Sequence, residues 1–125
     1  MSCLGFKNIK VLKGMLNVAW HPTLTQLLAW LMVRYSASKI LITCGYEERG
    51  RFSVHSVVPL RGFDLRSTLF DDPASIEKDV NDHWIYDPAR PEKRVCLYHN
   101  VGQGWHFHFQ VHDNTSLKIK NDEGL

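Results

Sequence analysis

Cysteines are few in this sequence, and no two of them form a Cys-x-x-Cys pair. The three that occur, Cys3, Cys44 and Cys96, are widely spaced along 125 residues. An odd and scattered set argues against a disulfide framework and against a zinc site built from thiolates. We therefore expect the chain to be synthesised in a reducing compartment.

The chain also lacks an excess of one charge and a long apolar run. Its formal net charge is +2, from 15 basic and 13 acidic residues. The sequence therefore lacks the excess of basic residues that is typical of nucleic-acid-binding proteins. The apolar segment from Leu24 to Val33 is too short to cross a membrane. Lysines interrupt the apolar residues of the N-terminus, which does not resemble a secretory signal. We expect no nucleic-acid partner, no membrane insertion and a cytoplasmic location on synthesis.

The composition predicts one globular domain over residues 1–125. Hydrophobic residues make up 44% of the chain and charged residues 22%, which suits a domain with a real core. No internal repeat or low-complexity segment is visible. The predicted order is helix, strand, loop, strand, helix, hairpin, so the expected fold class is α+β with a small antiparallel sheet and helices packed on one face.

Two helices are predicted from apolar spacing. Residues 22–34 carry four leucines at helical intervals, with Thr23 as the expected cap. A second helix is expected to begin at Asp72-Pro73 and to end before Asp87. Residues 1–20 have no clear period, and either an early strand or a short helix is compatible with them.

Four segments are predicted to be strands. Residues 39–44 are β-branched and apolar, as in a buried strand, and residues 61–66 alternate so that Asp64 faces away from the apolar side. Residues 94–99 and 105–111 are joined by a glycine-containing turn and are expected to form a hairpin.

The last of these strands is the most informative stretch of the chain. One face would carry Trp105, Phe107, Phe109 and Val111, and the other would carry His106, His108, Gln110 and His112. Successive residues on one face lie roughly 7 Å apart at Cα, so two imidazoles can converge on one ion. This His-x-His pair is a candidate metal site. The alternative is an amphipathic strand that merely exposes its histidines to solvent.

Several motifs occur in a recognisable order. They are Ile42-Thr43-Cys44-Gly45-Tyr46, a polar loop with Arg49 and Arg51, Ser53-Val54-His55, Gly62-Phe63-Asp64-Leu65, and His106-Phe107-His108. In this order the sequence resembles the zinc peptidases of the D-Ala-D-Ala carboxypeptidase and L-alanyl-D-glutamate endopeptidase group. These are the LAS metallopeptidases, which share the hedgehog-like fold. The resemblance covers roughly residues 38–112. The size of the chain and its lack of a signal resemble the phage endolysins of the group, which implies release to the cell wall during phage lysis.

The resemblance implies a role for each matching residue. The three zinc ligands would be His55, Asp64 and His108. His106 would be the catalytic residue beside the attacking water. The substrate, a peptide of peptidoglycan, would be bound by Arg49 or Arg51, which the sequence does not separate, and by Ser53. Two imidazoles and one carboxylate would leave the fourth position of a tetrahedral zinc open, as in catalytic sites.

Two departures from the family pattern keep a second function open. Eight residues separate His55 from Asp64, where the family usually has six, and Trp105 stands three residues before His108, where many members have an acid. A metal-binding or metal-free phage accessory protein of the same fold, without catalysis, is the alternative to a zinc peptidase.

Simpler interpretations exist for individual residues. Asp64 could form a surface ion pair with Arg61 or Arg66, and His55 could be a solvated loop histidine. Cys44 is expected to be an inert buried thiol of a core strand. The roles of His99 and His112 are left open by the sequence.

Overall fold

The computed structural model describes residues 3–48, 53–102 and 104–118. It contains three helices, α1 (Ile9–Leu16), α2 (Pro22–Arg34) and α3 (Pro73–His83). Five strands build the main sheet: β1 (Leu4–Phe6), β2 (Ile40–Cys44), β3 (Gly62–Arg66), β5 (Cys96–Asn100) and β6 (Trp105–Gln110). Two short strands, β4 (Trp84–Ile85) and β7 (Ser116–Leu117), pair separately. None of the helices in these ranges is long and apolar enough to span a membrane.

The strand order in the main sheet is β1-β2-β3-β6-β5. The three pairs β2-β3, β3-β6 and β6-β5 are antiparallel, whereas β1 runs parallel to β2. The α+β class is therefore confirmed, but the expectation of a wholly antiparallel sheet is wrong at this edge. The reason lies in the connection, because a parallel pair needs a long crossover and α1 and α2 provide it.

The two predicted helices are present, and their starts follow from local chemistry. At α2, Pro22 occupies the first turn and the Nδ1 atom of His21 accepts the backbone N–H of Thr23 at 3.1 Å. The cap is thus His21 rather than the predicted Thr23, which lies inside the helix. At α3, the Asp72 carboxylate accepts the N–H of Ser75, and proline again follows the cap.

One face of the sheet belongs to the core. Phe63 and Leu65 of β3 and Phe107 and Phe109 of β6 are almost completely buried. They belong to the same buried cluster as the four leucines of α2 and Val80 of α3. Because side chains alternate along a strand, the intervening residues of β3 and β6 lie on the opposite, polar face.

The register of the strands decides which polar residues become neighbours. Asp64 of β3 is directly opposite His108 of β6, and Arg66 is opposite His106. On the other side of β6, His99 of β5 is opposite His106. An acid and three histidines are therefore gathered on one small area of the polar face.

Candidate metal centre

The carboxylate of Asp64 lies at the centre of this histidine cluster. Its Oδ1 atom is 2.9 Å from Nδ1 of His108 and 3.3 Å from Nε2 of His55, and its Oδ2 atom is 3.8 Å from Nε2 of His106. The structure thus brings together the three residues that the resemblance implies as ligands, with His106 beside them. A surface ion pair with arginine does not describe Asp64, which is mostly buried among imidazoles.

His55 reaches this cluster from the loop that connects β2 and β3. Its side chain is buried, with 3% of the residue exposed, so the interpretation as a solvated loop histidine is wrong. Nδ1 lies 2.8 Å from the carbonyl oxygen of Gly45, which can only accept, so Nδ1 donates its proton there. This bond orients the ring and directs Nε2 at Asp64. A backbone carbonyl that holds one ring nitrogen while the other faces a ligand site is the usual arrangement at metal-binding histidines.

His106 is held in the same way. Its Nδ1 atom lies 3.0 Å from the carbonyl oxygen of Gly104, which leaves Nε2 on the side of Asp64. His108 differs, because its Nδ1 atom faces Asp64 and its Nε2 atom lies 3.1 Å from Oε1 of Gln110. Two of the three imidazoles therefore present Nε2 to the carboxylate and one presents Nδ1.

His55 and Asp64 stabilise each other's charged forms, which shifts the pKa of both groups. Burial lowers the pKa of His55, but hydrogen bonds to Asp64 and Cys44 outweigh it and raise the pKa to about 10. Burial alone would raise the pKa of Asp64, but the hydrogen bonds from His108 and His55 hold it well below its usual range. Without a metal ion, the centre therefore contains an imidazolium at His55 and a carboxylate at Asp64.

Cys44 also belongs to this cluster, which the sequence did not indicate. Its Sγ atom lies 3.7 Å from Nδ1 of His55, and Cys44, His55 and Asp64 place donor atoms within 4.8 Å of one another. Strand alternation would put Cys44 on the core face with Ile42. The pairing of β2 with β3 shifts register between Ile42 and Cys44, so Cys44 lies opposite Asp64. Such an irregularity changes the direction of a side chain. The expectation that Cys44 is buried in the core is therefore wrong, because its thiol is half-buried beside His55.

His99 adds a fourth imidazole from β5. The centre of its ring lies 4.9 Å from that of His106 and 5.9 Å from that of His108. Burial and these two rings lower the pKa of His99. His112 lies apart from the cluster, with Nδ1 3.9 Å from Asp87 and its ring beside Tyr86.

The expected substrate-binding residues are described only in part. Arg49 and Arg51 lie outside the described residues. The hydroxyl of Ser53 accepts the backbone N–H of His55 at 3.2 Å, so Ser53 helps to order the loop that carries this ligand candidate.

Cavities open on two sides of the cluster. A cavity of about 710 Å³ is bordered by Ser53 and His108, and a second of about 320 Å³ is bordered by Cys44, Asp64 and His106. The polar face of the sheet is therefore accessible to a ligand from both sides. Comparison of the chain with models of protein families, with curated proteins and with solved structures gives no match, so the case for a function is carried by this geometry and by the motifs.

Proposed function

We propose that the protein is a zinc-dependent peptidase that hydrolyses amide bonds in the stem peptides or cross-links of peptidoglycan, as a phage-encoded enzyme would. The observation that carries the proposal is the position of the two ring nitrogens of His55 relative to their acceptors. Both of its ring nitrogens face oxygen acceptors, at 2.8 Å and 3.3 Å, so the metal-free ring must hold two protons. A divalent cation that replaces the Nε2 proton would bind Nε2 and the Asp64 carboxylate, while Nδ1 would continue to donate to the carbonyl oxygen of Gly45.

The donor set fits zinc. His55, Asp64 and His108 would supply the nitrogen and oxygen ligands that zinc accepts. The group of donor atoms that lie within 4.8 Å of one another is that of Cys44, His55 and Asp64, so Cys44 is a further ligand candidate. Three protein ligands would leave an open position, whereas four ligands including Cys44 would close the site. When bound, zinc would act as a Lewis acid that activates water and polarises the scissile carbonyl.

The residues around the centre can perform the remaining tasks of hydrolysis. His106 has its Nδ1 proton fixed by Gly104, so Nε2 is free of a backbone partner and can accept a proton from the attacking water. It borders the cavity of about 320 Å³, where water and a peptide could enter. Arg49 or Arg51 and Ser53 remain the proposed contacts to substrate, on the basis of the resemblance alone.

A second function is favoured by one observation. Trp105, 58% exposed, stands where many members of the group carry an acidic residue. A protein that binds metal without cleaving peptides, such as a phage structural or accessory protein of this fold, would need only the ligands. Catalysis, not metal binding, therefore separates the two proposals.

The test combines metal content with activity. We expect the purified protein to bind one zinc ion and to release new amino groups from purified peptidoglycan. A strong chelator should abolish the release until zinc is restored. His83→Gln is the matched control and should behave as the wild type, because His83 contacts Asp79 and Trp30 rather than Asp64. Stoichiometric zinc with no release of amino groups would overturn the peptidase and favour the accessory protein, and failure to bind zinc would overturn the metal centre itself.

A further inference from the structure

Cys44 lies beside the proposed zinc ligands, although the resemblance gives it no role. We propose that its thiolate is a fourth ligand of the same ion, which closes the centre, and that hydrolysis requires this thiolate to leave the ion. The inference rests on the proposed peptidase function, to which it adds regulation by a residue of the chain itself.

The position of Cys44 follows from the register of three neighbouring strands. Cys44 of β2 lies opposite Asp64 of β3, and Asp64 lies opposite His108 of β6. Directly opposite residues have Cβ atoms about 5 Å apart. The three side chains therefore form one row across the sheet, and His55 reaches the same row from the loop between β2 and β3.

The donor atoms of this row are close enough to converge on one ion. One donor atom from each of Cys44, His55 and Asp64 lies within 4.8 Å of the others. In a tetrahedral zinc site, bonds of about 2.0 to 2.3 Å separate neighbouring ligand atoms by roughly 3.3 to 3.6 Å. The present separations are somewhat wider, as expected before an ion draws its ligands together.

The present contacts of the thiol would not hold it away from the ion. Sγ of Cys44 lies 3.7 Å from Nδ1 of His55 and 3.9 Å from the carbonyl oxygen of Gly45. Sulfur is a weak donor and a weak acceptor, so both contacts can be given up at little cost. Rotation of the Cys44 side chain would turn Sγ from the Nδ1 side of the ring toward Nε2, the nitrogen that faces Asp64.

The charge of the four ligands matches that of the ion. One thiolate and one carboxylate carry two negative charges, and two neutral imidazoles carry none, so their complex with a divalent cation has no net charge. Cysteine, histidine and aspartate are all common ligands of zinc, and four protein ligands in a tetrahedron are typical of closed sites. A site of this kind leaves no position for water.

Cys44 would close the centre on the side where hydrolysis is proposed to occur. With Asp64 and His106 it borders the cavity of about 320 Å³, whereas His108 borders the larger one. The thiolate would therefore take the position beside His106 in which the attacking water is proposed to lie. Because the thiolate has to leave first, bound Cys44 would slow the enzyme.

Alkylation tests the fourth ligand without any need for turnover. We would treat the protein with iodoacetamide, with and without one equivalent of zinc, and follow each cysteine by mass spectrometry of its peptides. The thiolate is both the nucleophile and the metal ligand, so zinc should largely prevent alkylation of Cys44 and leave that of the exposed Cys3 unchanged. Alkylation of Cys44 at the same rate with and without bound zinc would overturn the inference.

Cobalt distinguishes a bond to sulfur from simple shielding, because a thiolate bound to Co²⁺ adds a charge-transfer absorption in the near ultraviolet. The cobalt-loaded wild type should show this band, and Cys44→Ala should lose it. Cys44→Ala should also bind zinc more weakly, by at least the roughly 10- to 100-fold that removal of a supporting group costs. Cys3→Ala is the matched control and should keep the band and the affinity. A band equally strong in Cys44→Ala, or no band in the cobalt-loaded wild type, would overturn the fourth ligand.

Hydrolysis separates this inference from the proposed function. At saturating zinc, Cys44→Ala should release amino groups from peptidoglycan with a higher kcat than the wild type, because no thiolate has to leave. An equal or lower kcat would overturn the proposed closure. A thiolate band through Cys44 in a protein of which neither form cleaves peptidoglycan would support the fourth ligand and overturn the peptidase, whereas cleavage by a wild type without the band would do the reverse.

Discussion

At the scale of single residues, the two histidines of the His-x-His pair differ in their distance from Asp64. Nδ1 of His108 is 2.9 Å from the carboxylate, whereas Nε2 of His106 is 3.8 Å from it. His108 also lies directly opposite Asp64 in the strand register. The closer ring is the better candidate ligand, and the more distant one is placed to accept a proton.

Substitution of these two histidines should therefore have different effects. We expect His108→Ala to lose zinc. We expect His106→Ala to keep zinc and to lose activity about 100- to 10,000-fold, the usual contribution of a general base. Metal analysis and peptidoglycan hydrolysis of both variants provide the measurement. Equal loss of zinc in both would instead identify His106 as a ligand and make the centre richer in histidine.

The sequence allowed part of this cluster to be predicted. Period-two alternation places Asp64, His106 and His108 on polar faces, and the motif order links His55 to them. Cys44 could not be predicted, because its side depends on a register shift between β2 and β3 that leaves no trace in the pattern of apolar residues. The burial of His55 was equally hidden, since the residue lies in a loop and its partner Gly45 is ten residues earlier.

At the scale of secondary structure, the centre depends on close contact of β3 with its neighbours. Gly62 begins β3, and a Cβ atom at this position would lie 2.6 Å from Cγ2 of Val54 and 2.9 Å from the carbonyl oxygen of Phe109. The first contact belongs to the loop that carries His55, and the second belongs to β6. A side chain at Gly62 would therefore push apart the elements that hold His55, Asp64 and His108.

We accordingly expect Gly62→Ala to lower the free energy of unfolding by about 1–3 kcal/mol, as overpacking does, and to weaken zinc binding. Gly5→Ala is the control, because the nearest atom there is the end of the Leu41 side chain at 3.1 Å, which can move. Urea unfolding of both variants measures the difference. Equal stability of Gly62→Ala and wild type would show that the loop and β6 can move apart without lowering the free energy of unfolding.

The longer elements were predictable and the short ones were not. Helices α2 and α3 and strands β2, β3, β5 and β6 each carry their own periodicity or boundary residues. Residues 1–20, where the sequence left a strand or a helix open, contain both β1 and α1. Strand β1 has three residues, and its partner lies at residues 40–42. Such a short strand is stabilised by long-range pairing rather than by local propensity, so the sequence around it gives no signal.

At the scale of the whole molecule, the predicted α+β class holds because each apolar stripe needs a partner surface. The leucines of α2 and the aromatic residues of β3 and β6 bury one another, which leaves the other face of the sheet for polar residues. The position of the polar cluster on this face thus follows from the construction of the core. Its charges should then influence the stability of the entire protein.

The stability of the metal-free protein should depend on pH through His55 and Asp64. The pKa of His55 is raised from 6.5 to about 10, so its stabilising effect is complete below about pH 6.5 and is lost as the pH rises toward 10. The pKa of Asp64 is lowered, so its stabilising effect is present above about pH 4 and is lost on acidification. The metal-free protein should therefore be most stable between about pH 4 and 6.5.

The stabilisation by zinc should have the opposite pH dependence and increase as the pH rises above neutrality. A ligand nitrogen of His55 must be deprotonated, so protons compete with zinc and the increase in Tm on adding zinc should grow from pH 5 to pH 9. The metal-free protein should lose on the order of 3 kcal/mol across the alkaline range, and His55→Gln should remove this loss. Thermal unfolding with and without zinc, in wild type and His55→Gln, measures both effects. A metal-free protein whose stability rises from pH 6.5 to pH 9 would contradict the assignment of a buried imidazolium at His55, and an increase in Tm by zinc as large at pH 5 as at pH 9 would exclude His55 as a ligand.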